Sequence, residues 1–245
     1  MKDNFSAQAA QYARFRPVYS KELIAWLAAQ SPARQAAWDC GTGNGQVALL
    51  LAEYFDHVFA TDISRKQLQE APAHPRIHYA EEPAEQCSAA DQAFDLVVVA
   101  QAIHWFQFEK FYEAVRRVLR PGGLLAAIGY GLFHTDAADV NALVRRFYLE
   151  VVGPFWDPER RYVDEQYRTI PFPFAEVSMP DFLMVYRWRF EELLGYLNTW
   201  SAVQHYQQRY GQNPVQLVEE MLKAAWGDVE FRTVQFPVFT RVGRV

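Results

Sequence analysis

The stretch Trp38-Asp39-Cys40-Gly41-Thr42-Gly43-Asn44-Gly45 decides the fold, because it joins a short apolar run to an amphipathic segment. The apolar run that ends at Trp38 predicts a strand, and the segment from Val47 to Phe55 predicts a helix. The glycines between them let the backbone turn sharply and let a ligand approach it closely. The stretch therefore predicts a strand-to-helix turn that binds a ligand.

The alternation of apolar runs and amphipathic segments continues from this turn to residue 131. Such alternation indicates an α/β fold with a parallel, doubly wound sheet. The run Val97-Val98-Val99 is apolar on both faces, which is typical of a central strand, although a buried helix segment gives the same pattern. The predicted strands are 36–38, 58–60, 76–80, 94–100 and 124–128. The predicted helices are 47–55, 109–119 and a third that begins with a capping box from Ser64 to Gln67.

After residue 131 the pattern changes. The stretch 153–174 is rich in proline and aromatic residues, which predicts a cap packed against the core or a ligand. The chain ends in an alternating apolar segment, 234–240, and Pro237 within it predicts an edge strand or a bulge. The other predicted elements are a helix over 138–151, a strand over 182–190, and helices over 191–201 and 214–226.

The spacing of the glycines argues against a nicotinamide dinucleotide. A dinucleotide-binding turn has the form G-x-G-x-x-G and needs glycine or alanine at position 46, where this chain has Gln46. Asp39 also places a carboxylate at the strand end, which favours an amino-bearing ligand over a pyrophosphate. Asp62 ends the next predicted strand, where a carboxylate can accept both hydrogen bonds of a ribose diol. A helix cap is the alternative role for Asp62.

Composition excludes several classes of protein. The chain has 245 residues, is 51% hydrophobic and carries a net charge of −5, which disfavours nucleic acid as a partner but leaves a local basic patch open. It contains neither an apolar run long enough to span a membrane nor a signal-like N-terminus, which predicts a cytoplasmic protein. Cys40 and Cys87 form neither a disulfide framework nor a metal-ligand pair, so no metal is expected.

These motifs resemble the class I S-adenosylmethionine-dependent methyltransferases, in which an apolar strand and an acid precede G-x-G-x-G and a second acid ends the next strand. The methyltransferase type 11-like family has this pattern, and the branch that includes the trans-aconitate methyltransferases is similar over most of the chain. Segments that carry this wider resemblance are Arg16-Pro17-Val18-Tyr19, Ala100-Gln101-Ala102-Ile103-His104-Trp105-Phe106, Leu119-Arg120-Pro121-Gly122-Gly123 and Thr199-Trp200-Ser201-Ala202.

The resemblance implies a Rossmann-like, mostly parallel, seven-stranded sheet in one domain over 1–245. Its parts would be a cofactor-closing segment (1–34), a cofactor-binding core (35–131) and a cap with the last strands (132–245). S-adenosylmethionine is the implied cofactor. The residues expected to contact it are Tyr12, Arg16, Tyr19, Asp39, Gly41, Thr42, Gly43, Gly45, Asp62, Ile63, Ala84, Glu85 and Gln101. Relatives often carry Asp where this chain has Pro83, which puts a side-chain bond to adenine in doubt.

The methyl acceptor is expected to be a small molecule, with a carboxylic acid implied by the trans-aconitate branch. His104 follows the fourth strand, where its usual pKa range suits a general base, and Trp105 would form a wall of the site. A structural role for both is the alternative, and methyl transfer can proceed without a base. Arg168, Arg187 and Trp200 are the candidates for acceptor binding.

Two other functions stay open at this point. One is a regulator that binds the cofactor without catalysis, and the other is a nicotinamide dehydrogenase. The sequence predicts neither nucleic acid nor a membrane as partner, and it leaves open a monomer or a homodimer.

Overall fold

The computed structural model describes residues 14–245, so Tyr12 lies outside the described residues. The strands are β1 (Ala36–Cys40), β2 (His57–Asp62), β3 (Ile77–Glu81), β4 (Phe94–Ala100), β5 (Leu119–Tyr130), β6 (His134–Thr135), β7 (Ala175–Glu176), β8 (Leu183–Trp188) and β9 (Arg232–Arg244). The α-helices are α1 (Lys21–Gln30), α2 (Gln46–Leu51), α3 (Arg65–Gln69), α4 (Phe108–Val118), α5 (Ala138–Arg146), α6 (Arg160–Asp164), α7 (Phe190–Asn198), α8 (Ser201–Tyr210) and α9 (Glu219–Trp226).

These strands form one connected sheet in the order β3-β2-β1-β4-β5-β9-β6, with β7 and β8 also paired to β9. The first five strands are parallel, and β9 runs antiparallel to β5. Because β6 and β7 have only two residues each, seven longer strands remain within residues 14–245. This is the Rossmann-like α/β sheet that the sequence predicts.

Side chains on the two faces of the sheet pack into two separate cores. In β4, Leu96 and Val98 point to the core that contains α1, α2 and the C-terminal helices. Val97 and Val99 point to the other core, against α4 and Tyr167. All four are completely buried, which confirms β4 as a central strand covered on both sides.

Capping residues explain where the short helices begin. The Ser20 side chain accepts a hydrogen bond from the Leu23 N–H at the start of α1, and Ser64 accepts one from the Gln67 N–H, 3.3 Å away, at the start of α3. The second of these is the backbone contact that the predicted capping box requires.

The C-terminal half departs from the prediction in its helix boundaries. The helix predicted over 138–151 is α5 followed by a π-helical turn, Phe147–Val151. The helix predicted over 214–226 is a 3₁₀ turn, Pro214–Leu217, followed by α9. The sequence does not predict α6 and α8 as helices, because α6 spans only five residues and α8 begins only two residues after α7 ends.

The sequence predicts that Pro237 lies in an edge strand or at a bulge, and the edge strand was wrong. β9 lies inside the sheet, with β5 and β6 along one side and β7 and β8 along the other. Its pairing with β5 begins at Val238 and its pairing with β6 ends at Gln235, so Pro237 falls between the two. The N–H that proline lacks is therefore not needed on that side of the strand.

A buried carboxylate attaches the start of β4 to the start of β1. Asp95 is completely buried, and its Oδ2 accepts hydrogen bonds from the N–H groups of Gln35 and Ala36 at 2.8 and 3.0 Å. Its Oδ1 accepts one from Arg120 Nη1 at 2.8 Å. These contacts set the register of the two strands whose other ends form the candidate site.

No helix within residues 14–245 is both long enough and apolar enough to cross a membrane.

We expect Asp95→Ala to lower the free energy of unfolding by about 3 kcal/mol, because it leaves two backbone donors and a guanidinium without their acceptor. Asp91→Ala is the matched control: Asp91 is exposed and pairs with Arg117 at 2.9 Å, so its loss is expected to cost under about 0.5 kcal/mol. Urea unfolding followed by circular dichroism measures both. Equal effects would contradict the structural role assigned to Asp95.

Candidate active site

The candidate site lies at the carboxyl ends of β1, β2, β4 and β5. The strand order reverses between β1 and β4, and open α/β sheets bind their ligands at such a point. Two small cavities open here. The first is lined by the glycine loop, and the second lies beside it under residues 156–160 and the start of α8. Arg16 and Gln101 line both cavities.

Hydrogen bonds to the end of β2 hold the glycine loop in place. The N–H groups of Gly41 and Thr42 donate to the Thr61 carbonyl at 2.8 and 2.9 Å, and the Gly43 N–H donates to Asp62 Oδ2 at 2.9 Å. Gly41 has a φ of 73° and Gly43 a φ of 57°, a left-handed region that favours glycine. A Cβ at Gly43 would have no atom of residues 14–245 within 4 Å, so these residues leave space above the loop for a ligand.

Asp62 is placed where the sequence predicts it. Its Oδ1 accepts a hydrogen bond from the Ser64 N–H at 2.8 Å, so both carboxylate oxygens are oriented by backbone groups. Ser64, and not Asp62, is the N-cap of α3. Asp62 lines neither cavity, and its contact with a ribose stays a prediction.

Asp39 lines the first cavity and is completely buried. Thr42 Oγ1 donates to its Oδ2 at 2.5 Å, whereas its Oδ1 has no hydrogen-bond partner in the part of the chain that the structure describes. Burial raises the pKa of this carboxyl to about 7, and the hydrogen bond from Thr42 opposes that shift. A buried acceptor without a donor matches a ligand that brings an ammonium group.

Three other predicted residues surround the first cavity. Tyr19 Oη donates to the Ile128 carbonyl at 3.4 Å, and Arg16 Nη1 donates to Tyr130 Oη at 3.2 Å. Gln101 has a φ of 54° and donates from Nε2 to the Tyr130 carbonyl at 2.9 Å. A left-handed non-glycine residue where both cavities meet is the kind of strain found at functional sites.

The residues predicted beside adenine, namely Ile63, Ala84 and Glu85, line neither cavity. Ala84 is buried, and Glu85 Oε1 accepts a hydrogen bond from the Gln107 N–H at 2.8 Å. Their contacts with a cofactor stay a prediction. Asn44, Gln46 and Val47 line the first cavity and were not predicted, although all three belong to the loop or the helix that follows it.

His104 and Trp105 line the second cavity on a 3₁₀ turn after β4. His104 is 7% exposed, and its Nδ1 lies 3.2 Å from Tyr167 Oη. Burial, together with the positive charge of Arg160, lowers the pKa of His104 to about 3. This pKa lies below the ordinary imidazole range that the sequence suggests, because the sequence does not reveal the burial; a role for His104 as a base stays a prediction.

The arginine in the second cavity is Arg160, which the sequence analysis did not select. Its Nε donates to Tyr148 Oη at 2.9 Å and lies 3.4 Å from Asp164 Oδ1, and its guanidinium stacks 4.6 Å from the Trp156 ring centre. Within residues 14–245 its two terminal nitrogens make no hydrogen bond. They therefore remain able to bind an anion.

The second cavity is also lined by three residues that the sequence does not predict, namely Trp156, Asp157 and Ser201.

The three residues predicted to bind the acceptor lie elsewhere. Arg168 is exposed and donates to the Glu165 carbonyl, and exposed Arg187 stacks on Phe231. Trp200 is buried behind the cavity, 5.6 Å from the Trp156 ring. Neither Arg168 nor Arg187 lines either cavity, whereas Arg160 lines the second one.

Comparison with known proteins agrees with this geometry. The model of the methyltransferase domain family matches residues 38–127. A Dictyostelium discoideum protein named "Putative methyltransferase" is 30% identical over 97% of this chain and 93% of its own length. The solved structure of a "Putative Type II Methyltransferase" from Anaeromyxobacter dehalogenans is 42% identical, with a TM-score of 0.87 over 94% of this chain and 98% of that one.

The chain therefore belongs to the class I S-adenosylmethionine-dependent methyltransferases, and S-adenosylmethionine is its cofactor. The residues that line the first cavity suit that molecule, because within residues 14–245 the Oδ1 of Asp39 has no hydrogen-bond donor and a Cβ at Gly43 would meet no atom.

We expect Gly43→Ala to weaken binding of S-adenosylhomocysteine at least about tenfold, because its methyl group enters the free space above the loop. Gly211→Ala is the matched control: its φ is 73°, and a Cβ there also meets no atom of the described residues within 4 Å, but Gly211 ends α8 away from the site. Each substitution is expected to cost about 1 kcal/mol of stability. Calorimetric titration and urea unfolding measure the two effects. Unchanged affinity in Gly43→Ala would refute the loop assignment.

Proposed function

We propose that this methyltransferase transfers the methyl group of S-adenosylmethionine to a carboxylate oxygen of a small organic acid. One observation carries the proposal. Arg160 lines the cavity that adjoins the glycine loop, and the terminal nitrogens of its guanidinium make no hydrogen bond within residues 14–245. Arginine recognises carboxylates through two parallel hydrogen bonds. The resemblance to the trans-aconitate methyltransferases supports the same class of acceptor.

Several residues would hold the cofactor, which supplies an electrophilic methyl group on a sulfonium ion. Asp39 would accept from its ammonium group, and Asp62 would accept from its ribose. Arg16, Tyr19 and Gln101 would surround the methionine part, because they line the same cavity or bond to its wall. Thr42, Gly41 and Gly45 would shape the loop, and Ile63, Ala84 and Glu85 would lie along the adenine.

The charge of the second cavity favours an anion. Arg16 and Arg160 contribute two positive charges to its lining, against one negative charge from Asp157. His104 stays neutral at pH 7, because its pKa is about 3. An anionic acceptor is therefore attracted to the cavity before any specific contact forms.

A carboxylate also suits a site whose histidine is a weak base. An acid with an ordinary pKa near 4 is already ionised at pH 7, so its oxygen attacks the methyl carbon without prior proton removal. The reaction brings an anion and a cation together and disperses both charges in the transition state. Burial of the site by Trp105 and Trp156 excludes water, which lowers the cost of that approach.

Asp157 supports a second candidate, a hydroxyl acceptor whose proton this carboxylate would take. Asp157 lines the second cavity, and its Oδ2 lies 3.9 Å from His205 Nδ1. The two candidates differ in their dependence on Arg160, because only the carboxylate needs the guanidinium for binding.

Other sequence predictions belong to the same proposal. The chain would act as one methyltransferase domain, in the cytoplasm, as a monomer or a homodimer, with its N-terminal 34 residues closing over the cofactor. Turnover of an acceptor would separate this enzyme from a regulator that only binds the cofactor.

The buried Asp39 predicts a pH-dependent affinity. If the ionised carboxylate accepts from the ligand's ammonium group, S-adenosylhomocysteine should bind about tenfold more tightly at pH 8 than at pH 6. Asp39→Asn should bind weakly and lose this dependence. Asp136→Asn is the control, because Arg232 and the Thr233 N–H lower the pKa of Asp136 and keep it ionised throughout. Calorimetric titration at both pH values measures the effect, and a flat wild-type profile would contradict the role of Asp39.

The stability of the free protein provides a check on the same residue. Because the folded pKa of about 7 lies above the ordinary value of 3.8, folding holds the proton more tightly than the unfolded chain does. The resulting cost to stability grows between about pH 4 and pH 7 and persists above it. Asp39→Asn removes this cost, so a binding defect at pH 8 would not reflect unfolding.

Arg160→Lys keeps the charge but loses the planar fork, so it should raise KM for a carboxylic acceptor about tenfold to a hundredfold. Arg161→Lys, on the exposed side of α6, is the matched control and should leave KM unchanged. The assay uses methyl-labelled S-adenosylmethionine with mono-, di- and tricarboxylic acids and their alcohol analogues, and it detects base-labile methyl esters. Labelled ethers, with unchanged KM in Arg160→Lys, would favour the hydroxyl acceptor.

A further inference from the structure

Tyr167 occupies a strained position directly behind the second cavity. It follows α6, the helix that carries Arg160, and its side chain is completely buried. Gln166 and Tyr167 both have left-handed backbones, with φ of 55° and 60°. Two consecutive non-glycine residues in this region are costly, and they persist only where surrounding contacts hold them.

An arginine from the sheet provides those contacts. Arg241 on β9 donates from Nη1 to the carbonyls of Tyr167 and Ile170, at 3.0 and 3.3 Å. Its other nitrogens donate to Glu176, at 2.6 and 3.1 Å, so the guanidinium is itself held. The Tyr167 ring meets Phe239 edge to face, 5.0 Å between ring centres. The phenol is thereby held against His104.

The contact between Tyr167 Oη and His104 Nδ1, 3.2 Å, determines which imidazole nitrogen carries the proton. The phenol is the more acidic of the two groups and the imidazole nitrogen is the more basic, so the stronger hydrogen bond has the phenol as donor. Nδ1 is then an acceptor without a proton. Because the imidazole is neutral at pH 7, its single proton lies on Nε2.

Nε2 is the nitrogen available to a ligand. His104 lines the second cavity, and within residues 14–245 its only hydrogen bond is the one that its Nδ1 makes with Tyr167 Oη. No hydrogen bond joins it to Arg160 in the same part of the chain. Trp105, also in the lining, has a buried indole N–H without a partner among the described residues. A polar atom left in this way is costly unless a ligand pairs with it.

We propose that Tyr167 is a positioning residue that fixes His104 as its Nε2–H tautomer, so that His104, Trp105 and Arg160 present only hydrogen-bond donors to the acceptor. These three donors match the oxygens of an ionised carboxylate, and none of the three accepts the proton of an alcohol. The assignment of the tautomer is independent of the proposed function, whereas the recognition of a carboxylate rests on it.

The tautomer can be measured without knowing the acceptor. Long-range ¹H–¹⁵N correlation spectra of uniformly labelled protein at pH 7 distinguish a protonated from an unprotonated imidazole nitrogen. The chain has only six histidines, so the missing signals in His104→Gln identify this residue. We expect an unprotonated Nδ1 and a protonated Nε2. A protonated Nδ1 would overturn the proposal.

Tyr167→Phe tests whether the phenol causes this state. The variant should lose the single tautomer and show averaged nitrogen shifts at His104. Tyr112→Phe is the matched control, because Tyr112 is also buried and donates from Oη to the Pro171 carbonyl at 2.5 Å without touching His104. Unchanged His104 signals in Tyr167→Phe would overturn the role of Tyr167. If that variant does not fold, the wild-type spectrum still decides the tautomer.

Kinetics then separate this inference from the proposed function. With a carboxylic acceptor from the labelled-methyl screen, Tyr167→Phe should raise KM about tenfold with little change in kcat. The Nε2–H tautomer together with an alcohol as substrate would leave the positioning role intact and refute the carboxylate. If the substrate is a carboxylic acid and Nδ1 of His104 is protonated, only the positioning role of Tyr167 is refuted.

Discussion

Three hydrogen bonds attach the loop after β1 to the end of β2, and both cavities depend on that attachment. Two of them end on the Thr61 carbonyl, and the third joins the Gly43 N–H to Asp62. Because the groups that accept these hydrogen bonds belong to the neighbouring parallel strand, the position of the loop follows directly from the register of the sheet. The carboxylate that we propose for the ribose thus also shapes the glycine loop.

Burial gives the two sides of the site different electrostatic characters. On the cofactor side it raises the pKa of Asp39, which makes a partner with positive charge favourable. On the acceptor side it lowers the pKa of His104, which keeps that ring neutral and leaves positive charge to Arg16 and Arg160. A cationic group and an anionic group can therefore be drawn to adjacent cavities, which is the arrangement that methyl transfer from a sulfonium to a carboxylate needs.

Much of the core could be predicted because its signals are local. Patterns of a few residues predict the strand before Asp39, the glycine loop, Asp62 and the apolar run of β4. Such patterns predict less of the cap. α6 has five residues and no full apolar period, so nothing in the sequence marked Arg160 over Arg168 or Arg187. Pro237 suggested an edge strand, but β9 lies inside the sheet, because a strand can change partners at the residue that lacks an N–H.

The sequence by itself determined the class of fold, the cofactor loop and the acids at the two strand ends, since periodicity and short motifs encode contacts between near neighbours. Only the tertiary structure decided the acceptor side. There, Arg16, His104 and Arg160 come from three distant segments, and Tyr167 meets His104 across 63 positions of the chain. Their charges and proton positions depend on how deeply they are buried together, and that burial arises only when the cap folds over the sheet.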